Sequence, residues 1–216
     1  MKNQKGFTLV EMAIVLVIIG LLLGGVLKGQ ELIDNSKIKN TINDLKGISA
    51  ANNGYFDRFR AQPGDDGPVG TLQTRGGSWT TITLGGNANG NLDVTAAQTF
   101  TGGGENATFF QHVRAAGFLA GDQTLGAVVA ALPVNSFGGV MGVTANAVTG
   151  MPLGKYVCAS RIPGKAARAI DVSMDNGDPD SGTIMATTAV AGANTAPGAA
   201  ATVYVDTAVY TLCAPL

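Results

Sequence analysis

The sequence predicts an α+β protein. A long N-terminal helix, transmembrane at first and amphipathic afterwards, packs on a head built around a small antiparallel sheet. Three observations lead there. Residues 6–27, "GFTLVEMAIVLVIIGLLLGGVL", form an apolar run holding a single charge, Glu11. Beyond it, apolar residues recur at helical spacing as far as Phe59. The rest of the chain alternates short apolar strings with Gly-, Thr- and Asn-rich stretches, the pattern of short strands joined by loops.

Bulk composition sets the limits. A chain of 216 residues suits one ordinary domain plus an attached segment. Charged residues are 13%, too few for a charged, disordered solvator. A formal charge of −1 supplies no global field for nucleic acid. His112 is the only histidine, and neither Cys158 nor Cys213 belongs to a CxxC pair. A zinc site of the usual Cys/His kind therefore lacks ligands at metal spacing.

Residues 7–27 carry one charge and, as a helix rising 1.5 Å per residue, span about 31 Å, the thickness of a bilayer core. A secretory signal has a shorter apolar run followed by a small-residue cleavage site. Here the polar, helical "KGQELIDNSKIKNTINDLKG" follows instead. Lys2 and Lys5 precede the run, which places that end in the cytoplasm and the rest outside. Glu11 is the anomaly. A carboxylate in a membrane helix costs a few kcal/mol and usually has a partner. Glu11 lies close enough to Phe7 to sit at the membrane interface; the alternative is a buried cation that neutralises it.

"KGFTLVEMAIVLVIIGLLL" resembles the N-terminus of type IV prepilins and of type II secretion pseudopilins: a short basic leader, Gly, Phe, three more residues, Glu, then an unbroken apolar helix. The resemblance implies that a membrane peptidase cuts after Gly6 and methylates the new amine on Phe7. It implies that Glu11 pairs with that amine on a neighbouring subunit, which supplies the missing cation. The expected division is then a leader at 1–6, a transmembrane part at 7–27, an amphipathic part at 28–60 and an extracytoplasmic, pilin-like head at 61–216. Losing Lys2 and Lys5 takes the formal charge from −1 to −3. The implied partners are further copies and related pilins, prepilin peptidase, the inner-membrane assembly machinery and the membrane before assembly. The implied role is structural and not enzymatic: a type IV pilus subunit, or alternatively a pseudopilin or a low-copy tip or adhesion subunit. The precursor is expected as a single-pass inner-membrane protein, and the product in a surface filament or periplasmic pseudopilus.

Within the run, Gly20 and Gly24, and Gly25 and Gly29, are four apart, a spacing that allows close helix contact. In the amphipathic part, Ile38, Ile42, Leu45, Ile48, Tyr55 and Phe59 mark one face. Pro63 and Gly64, in "QPGDDG", end the helix.

In the head, residues 64–104 read as a long loop with one strand at 79–84. "GGNANGNLD", residues 85–93, reads as a polar turn and lacks the first Asp and last Glu of a calcium loop. "ENATFFQHVRAAGFLAGD" reads as a helix that Gly117 can cap. With "PGDD" before it and "GTIMA" after it, this run also resembles a segment of larger proteobacterial pilin-like proteins. His112 has no identifiable Ser or Cys nucleophile near it and reads as a solvated or hydrogen-bonded histidine. Residues 155–162 read as a strand and 164–174 as a short helix with Ala166, Ala169, Ile170 and Met174 on one side. "TIMAT" at 183–187 reads as a strand, residues 189–202 as a low-complexity surface loop, and 202–213 as a closing strand or bent pair.

Cys158 and Cys213 fall on two predicted strands. They can form the only intramolecular disulfide, as in the disulfide-bounded region of many type IV pilins, or remain two buried thiols. The bond closes a loop worth roughly 4 kcal/mol in the chain-entropy model. Asp175, Asn176, Asp178 and Asp180 lie in a turn between helix and strand. They form either a plain tight turn, since Asn-Gly is a turn dipeptide, or a calcium loop such as some pseudopilins use. No other cofactor is expected.

Overall fold

The first helix of the computed structural model, α1, runs Leu9–Phe59 without interruption through 51 residues. The structure describes residues 6, 8–145 and 148–216. Contacts divide the chain into two units, one ending at Lys37 and one formed by Ile38–Leu216. Phe7, where helix was also expected, lies outside the described residues.

In the first unit, α1 exposes almost every apolar side chain, with Leu9 at 86% and Leu21 at 73%. Gly20, Gly24, Gly25 and Gly29 have no atoms within contact of the position a Cβ would take. They are helical all the same, including the Gly24–Gly25 pair whose propensity costs about 1 kcal/mol per residue. Lys28 and Glu31 make an exposed i,i+3 ion pair at 2.7 Å.

In the second unit, α1 buries Thr41, Ile42, Leu45, Ile48, Ala51, Asn52 and Tyr55, three or four residues apart. The stripe joins the same hydrophobic core as the sheet. The helix stops at Arg60, whose φ is 54°. Gly64 is then needed twice over. Its φ is 95°, and a Cβ there would lie 3.0 Å from Leu92 Cδ1 and 3.1 Å from the Glu105 carbonyl.

The sheet has four strands: β1 (Met141–Thr144), β2 (Tyr156–Pro163), β3 (Met185–Ala189) and β4 (Val209–Pro215). Their order is β1-β2-β4-β3, and every pair is antiparallel. Besides α1, the unit holds α2 (Val69–Gln73), α3 (Asn106–Ala115) and α4 (Gly164–Met174). Neither face of the sheet is open. β1 is buried at every position, and β2 and β4 are buried along their centres, so both faces are covered. Both edges are closed as well. Met141 donates to the Pro133 carbonyl, Val143 to Asn106 Oδ1, and Ala186 to the Pro179 carbonyl.

Four expectations need correction. Residues 79–84 form no strand; residues Gly77–Thr81 make a 3₁₀ helix instead. Trp79 and Ile82 are still buried, but the N–H groups of Thr83 and Leu84 donate to Gln111 Oε1 rather than to a strand. The closing strand begins only at Val209. Before it, Tyr210 Oη accepts from Val205 N–H and donates to the Val203 carbonyl, leaving Val203 and Val205 exposed in a turn. "TIMAT" pairs two residues late, because Asp175 Oδ2 takes the N–H groups of Thr183 and Ile184. The buried side of α4 includes Ala166, Ala167 and Ile170, with Ala169 only half-buried.

Elsewhere the pattern holds. α4 occupies residues 164–174 as expected. Gly117, at φ 83°, ends α3, with Phe118 N–H returning to the Val113 carbonyl at 2.9 Å. The expected loop begins one residue later, at 190, because Ala189 still pairs in β3; Ala201 and Gly198 pin it to that strand through the Ala186 carbonyl and Thr187 Oγ1. β1, set among glycines in "FGGVMGVT", was not foreseen.

Candidate processing and assembly site

The N-terminal site starts from a helix end. The first N–H groups of any helix have no partner within it. Here Thr8 stands just before α1, and Glu11 is its third residue. Thr8 donates its N–H to Glu11 Oε2 at 2.8 Å, and its hydroxyl donates to the same oxygen at 2.8 Å. Glu11 N–H donates to Thr8 Oγ1 at 3.2 Å. This is a reciprocal capping box. The signal was present in the sequence as "TLVE", a Ser/Thr followed three residues later by Glu. Glu11 therefore has a partner within its own chain.

Gly6 is described and exposed. The expected cut and methylation at Phe7 fall outside the described residues. From Leu9 onward the helix is long and apolar enough to cross a membrane, with a mean hydropathy of 2.7 over its best window, none of it buried inside the protein.

In the head, Cys158 and Cys213 are bonded, with Cα atoms 4.0 Å apart. They are opposed residues on β2 and β4 and are fully buried. The bond thus joins the sheet's two central strands and ties the C-terminal strand into the core.

In the acidic turn, the side chains of Asp175 and Asn176 bond to neighbouring groups. Asp175 Oδ2 accepts from Thr183 and Ile184. Asn176 Oδ1 accepts from Asp178 N–H, and its amide donates to Ser181 Oγ. Asp178 and Asp180 are exposed. Asp171, fully buried on α4, accepts from Tyr204 Oη at 2.6 Å and from Gly177 N–H at 3.0 Å. Burial raises its carboxyl above the ordinary range. Among the described residues, no three His, Cys, Asp or Glu side chains gather in a way that could hold a metal ion.

The loop at 85–93 is a polar turn anchored from outside. Asp65 accepts the N–H groups of Asn89 and Gly90, and Asp93 accepts the amides of Asn87 and Asn89. Burial raises the carboxyl of Glu105 nearby, with Asp65 and Asp93 adding to the effect. Burial lowers Lys155, opposed by the charges of Asp65 and Glu105.

His112 is buried and hydrogen-bonded. Its Nδ1 accepts from Gly64 N–H at 3.1 Å, and its Nε2 lies 3.3 Å from the Leu84 carbonyl. It stacks on Tyr55, with centroids 6.2 Å apart. Burial lowers its pKa to about 4, so it is neutral at pH 7. Sequence reasoning also missed the arginine cluster beside it. Arg75 pairs with Asp66 at 2.9 Å and lies over Phe59 and Trp79 at 4.5 and 4.7 Å. Tyr55 donates to Asp66 at 2.6 Å. These contacts clamp the end of α1 to the segment that follows it.

The geometry combines a capped, exposed apolar helix with a disulfide-tied head. Residues 1–27 match the family model of the prokaryotic N-terminal methylation motif. This is the prepilin cleavage motif of type IV pilins and pseudopilins, and it implies processing by prepilin peptidase and membrane assembly. No curated protein and no solved structure matches the chain.

Proposed function

We propose that the chain is a structural subunit of a type IV pilus, made as a single-pass inner-membrane precursor, cut after Gly6, methylated on Phe7 and assembled through α1. The observation that carries this reading is the motif at residues 1–27, continuous with a helix whose apolar side chains the chain itself leaves uncovered. Such a helix is stable in lipid, where its backbone bonds are all internal, or among copies of itself. In the second setting, Glu11 would meet the Phe7 amine of a neighbour while Thr8 holds its other bonds. The role is architectural rather than enzymatic. Of the two filament types, the disulfide across β2 and β4 favours a pilin, while a calcium loop without a disulfide would favour a pseudopilin.

The test is mass spectrometry of a sheared cell-surface fraction, searching for the peptide that begins at N-methyl-Phe7. Abundant recovery supports a surface filament. Recovery only from membranes shifts the reading to a pseudopilin or a scarce tip subunit. Finding only chains that start at Met1, in cells that process other prepilins, overturns it.

A further inference from the structure

We propose that Lys155 and Gln62 react with each other to form an intramolecular isopeptide bond, with release of ammonia. The proposal goes beyond the filament reading and does not depend on it.

Two anchored side chains carry it. Gln62 follows the end of α1 and is 8% exposed. Its carboxamide is held at both ends. Nε2 donates to Asn52 Oδ1 of α1 at 2.7 Å, and Oε1 accepts from Lys155 Nζ at 2.6 Å. Lys155 stands just before β2, 93 residues further along the chain. Both backbones are fixed: the Gln62 carbonyl accepts from Asp66 N–H at 2.9 Å, and the Lys155 carbonyl from Leu216 N–H at 2.9 Å. The meeting of amine and amide is thus already arranged by the fold. Cδ, the carbon to be attacked, is bonded directly to the oxygen that Nζ touches, and donation to that oxygen polarises the carbonyl.

The surroundings suit the amine. Only neutral lysine is a nucleophile. Burial favours that form of Lys155, against the charges of Asp65 and Glu105. Gln62, Lys155 and Asp65 line one pocket of about 300 Å³, together with the exposed Phe56 and Arg60, so ammonia has a way out. Asp66, in the same lining, is engaged by Tyr55 and Arg75. Asp65 accepts two backbone N–H groups and remains the carboxylate able to carry a proton.

The step balances without oxidant or reductant. Lys155 gives one ammonium proton to Asp65. The Nζ electron pair adds to Gln62 Cδ, and the carbonyl pair moves onto Oε1. As that pair returns, the Cδ–Nε2 bond breaks, and Nε2 leaves with a second Nζ proton as ammonia. Asp65 then passes its proton to the ammonia. One Nζ–Cδ bond has formed and one ammonium ion has departed. The Cys158–Cys213 bond already joins β2 to β4; the isopeptide joins the start of β2 to the end of α1. Load on α1 then reaches the sheet through covalent bonds.

The test is a tryptic map of the full chain, extracted in detergent and reduced. A linked chain resists cleavage after Lys155. It yields one branched peptide, residues 61–75 joined to 115–161, lighter by one ammonia than the two parts together. Recovery of 61–75, 115–155 and 156–161 as separate peptides only overturns the proposal. Lys155→Arg keeps the positive charge but supplies no attacking amine. It should take the linked fraction from the majority of chains to none and restore the missing ammonia to the intact mass. A variant as light as wild type overturns the assignment to Lys155.

Discussion

One helix behaves in two ways. From Leu9 to Leu27, α1 is apolar on all sides but for Glu11 and buries nothing; from Thr41 onward it buries a stripe that recurs every three or four residues. In the first part, Leu16, Leu22 and Leu27 are exposed at 66, 63 and 66%. In the second, Leu45 and Ile48 are each 2% exposed. Leucine is the same residue in both, so apolarity by itself does not say where a side chain ends up. The periodicity does. A stripe has an inside supplied by its own head, whereas an all-round apolar surface needs lipid or other copies.

Substitutions in the two parts of α1 should have distinct effects, the largest at Glu11. Glu11→Ala should leave membrane insertion intact but remove the chain from filaments, as read by fractionation of membranes and sheared surface material. Normal incorporation would sink the assembly role of Glu11. A pair of leucines gives the next effect. Leu45→Ala should destabilise the head by about 2–5 kcal/mol, the usual cost of a cavity at a packed leucine. Leu22→Ala should leave unfolding of the head in detergent unchanged. Equal effects would mean the two parts of α1 do not differ as described.

A smaller effect comes from His112. Its folded pKa of about 4 lies below the ordinary 6.5. The neutral form is what the fold accepts, so its contribution is full above pH 6.5 and is lost as pH falls toward 4. Between pH 7 and pH 5 the loss is about 2 kcal/mol. The raised carboxyls of Glu105 and Asp171 act the other way, since their protonation favours the folded state. The histidine's share is therefore the difference in urea midpoint between wild type and His112→Gln across that range. Identical pH profiles would rule it out. The smallest effect belongs to the capping box. Thr8→Val should lower hydrogen-exchange protection at residues 8–11 and leave the head untouched. Unchanged protection would show that Thr8 does not cap the helix.

Much of this molecule was legible before any coordinates. The apolar run, the stripe from Ile42 to Tyr55, the helix at 164–174 and the strand after Lys155 are local patterns, and local patterns are written in consecutive residues. The cysteine pair was legible because only two cysteines exist. The three strand misreadings share one cause. At Thr83 and Leu84, at Val205 and at Thr183, a side chain from outside the misread stretch takes the backbone N–H that a strand would use. Alternation in the sequence cannot reveal Gln111, Tyr210 or Asp175 arriving from elsewhere.

The N-terminal motif, the apolar run, the long helix and the available disulfide were thus legible in consecutive residues, because each depends on residue type and short spacing. Contacts across the fold settle three other things: that β1 joins the sheet, that both faces of the sheet are covered, and that Asp175 takes the N–H groups of Thr183 and Ile184. Those outcomes depend on which groups meet across the fold. A buried N–H must find an acceptor somewhere, and the chain's path, not its local composition, sets which acceptor is nearest.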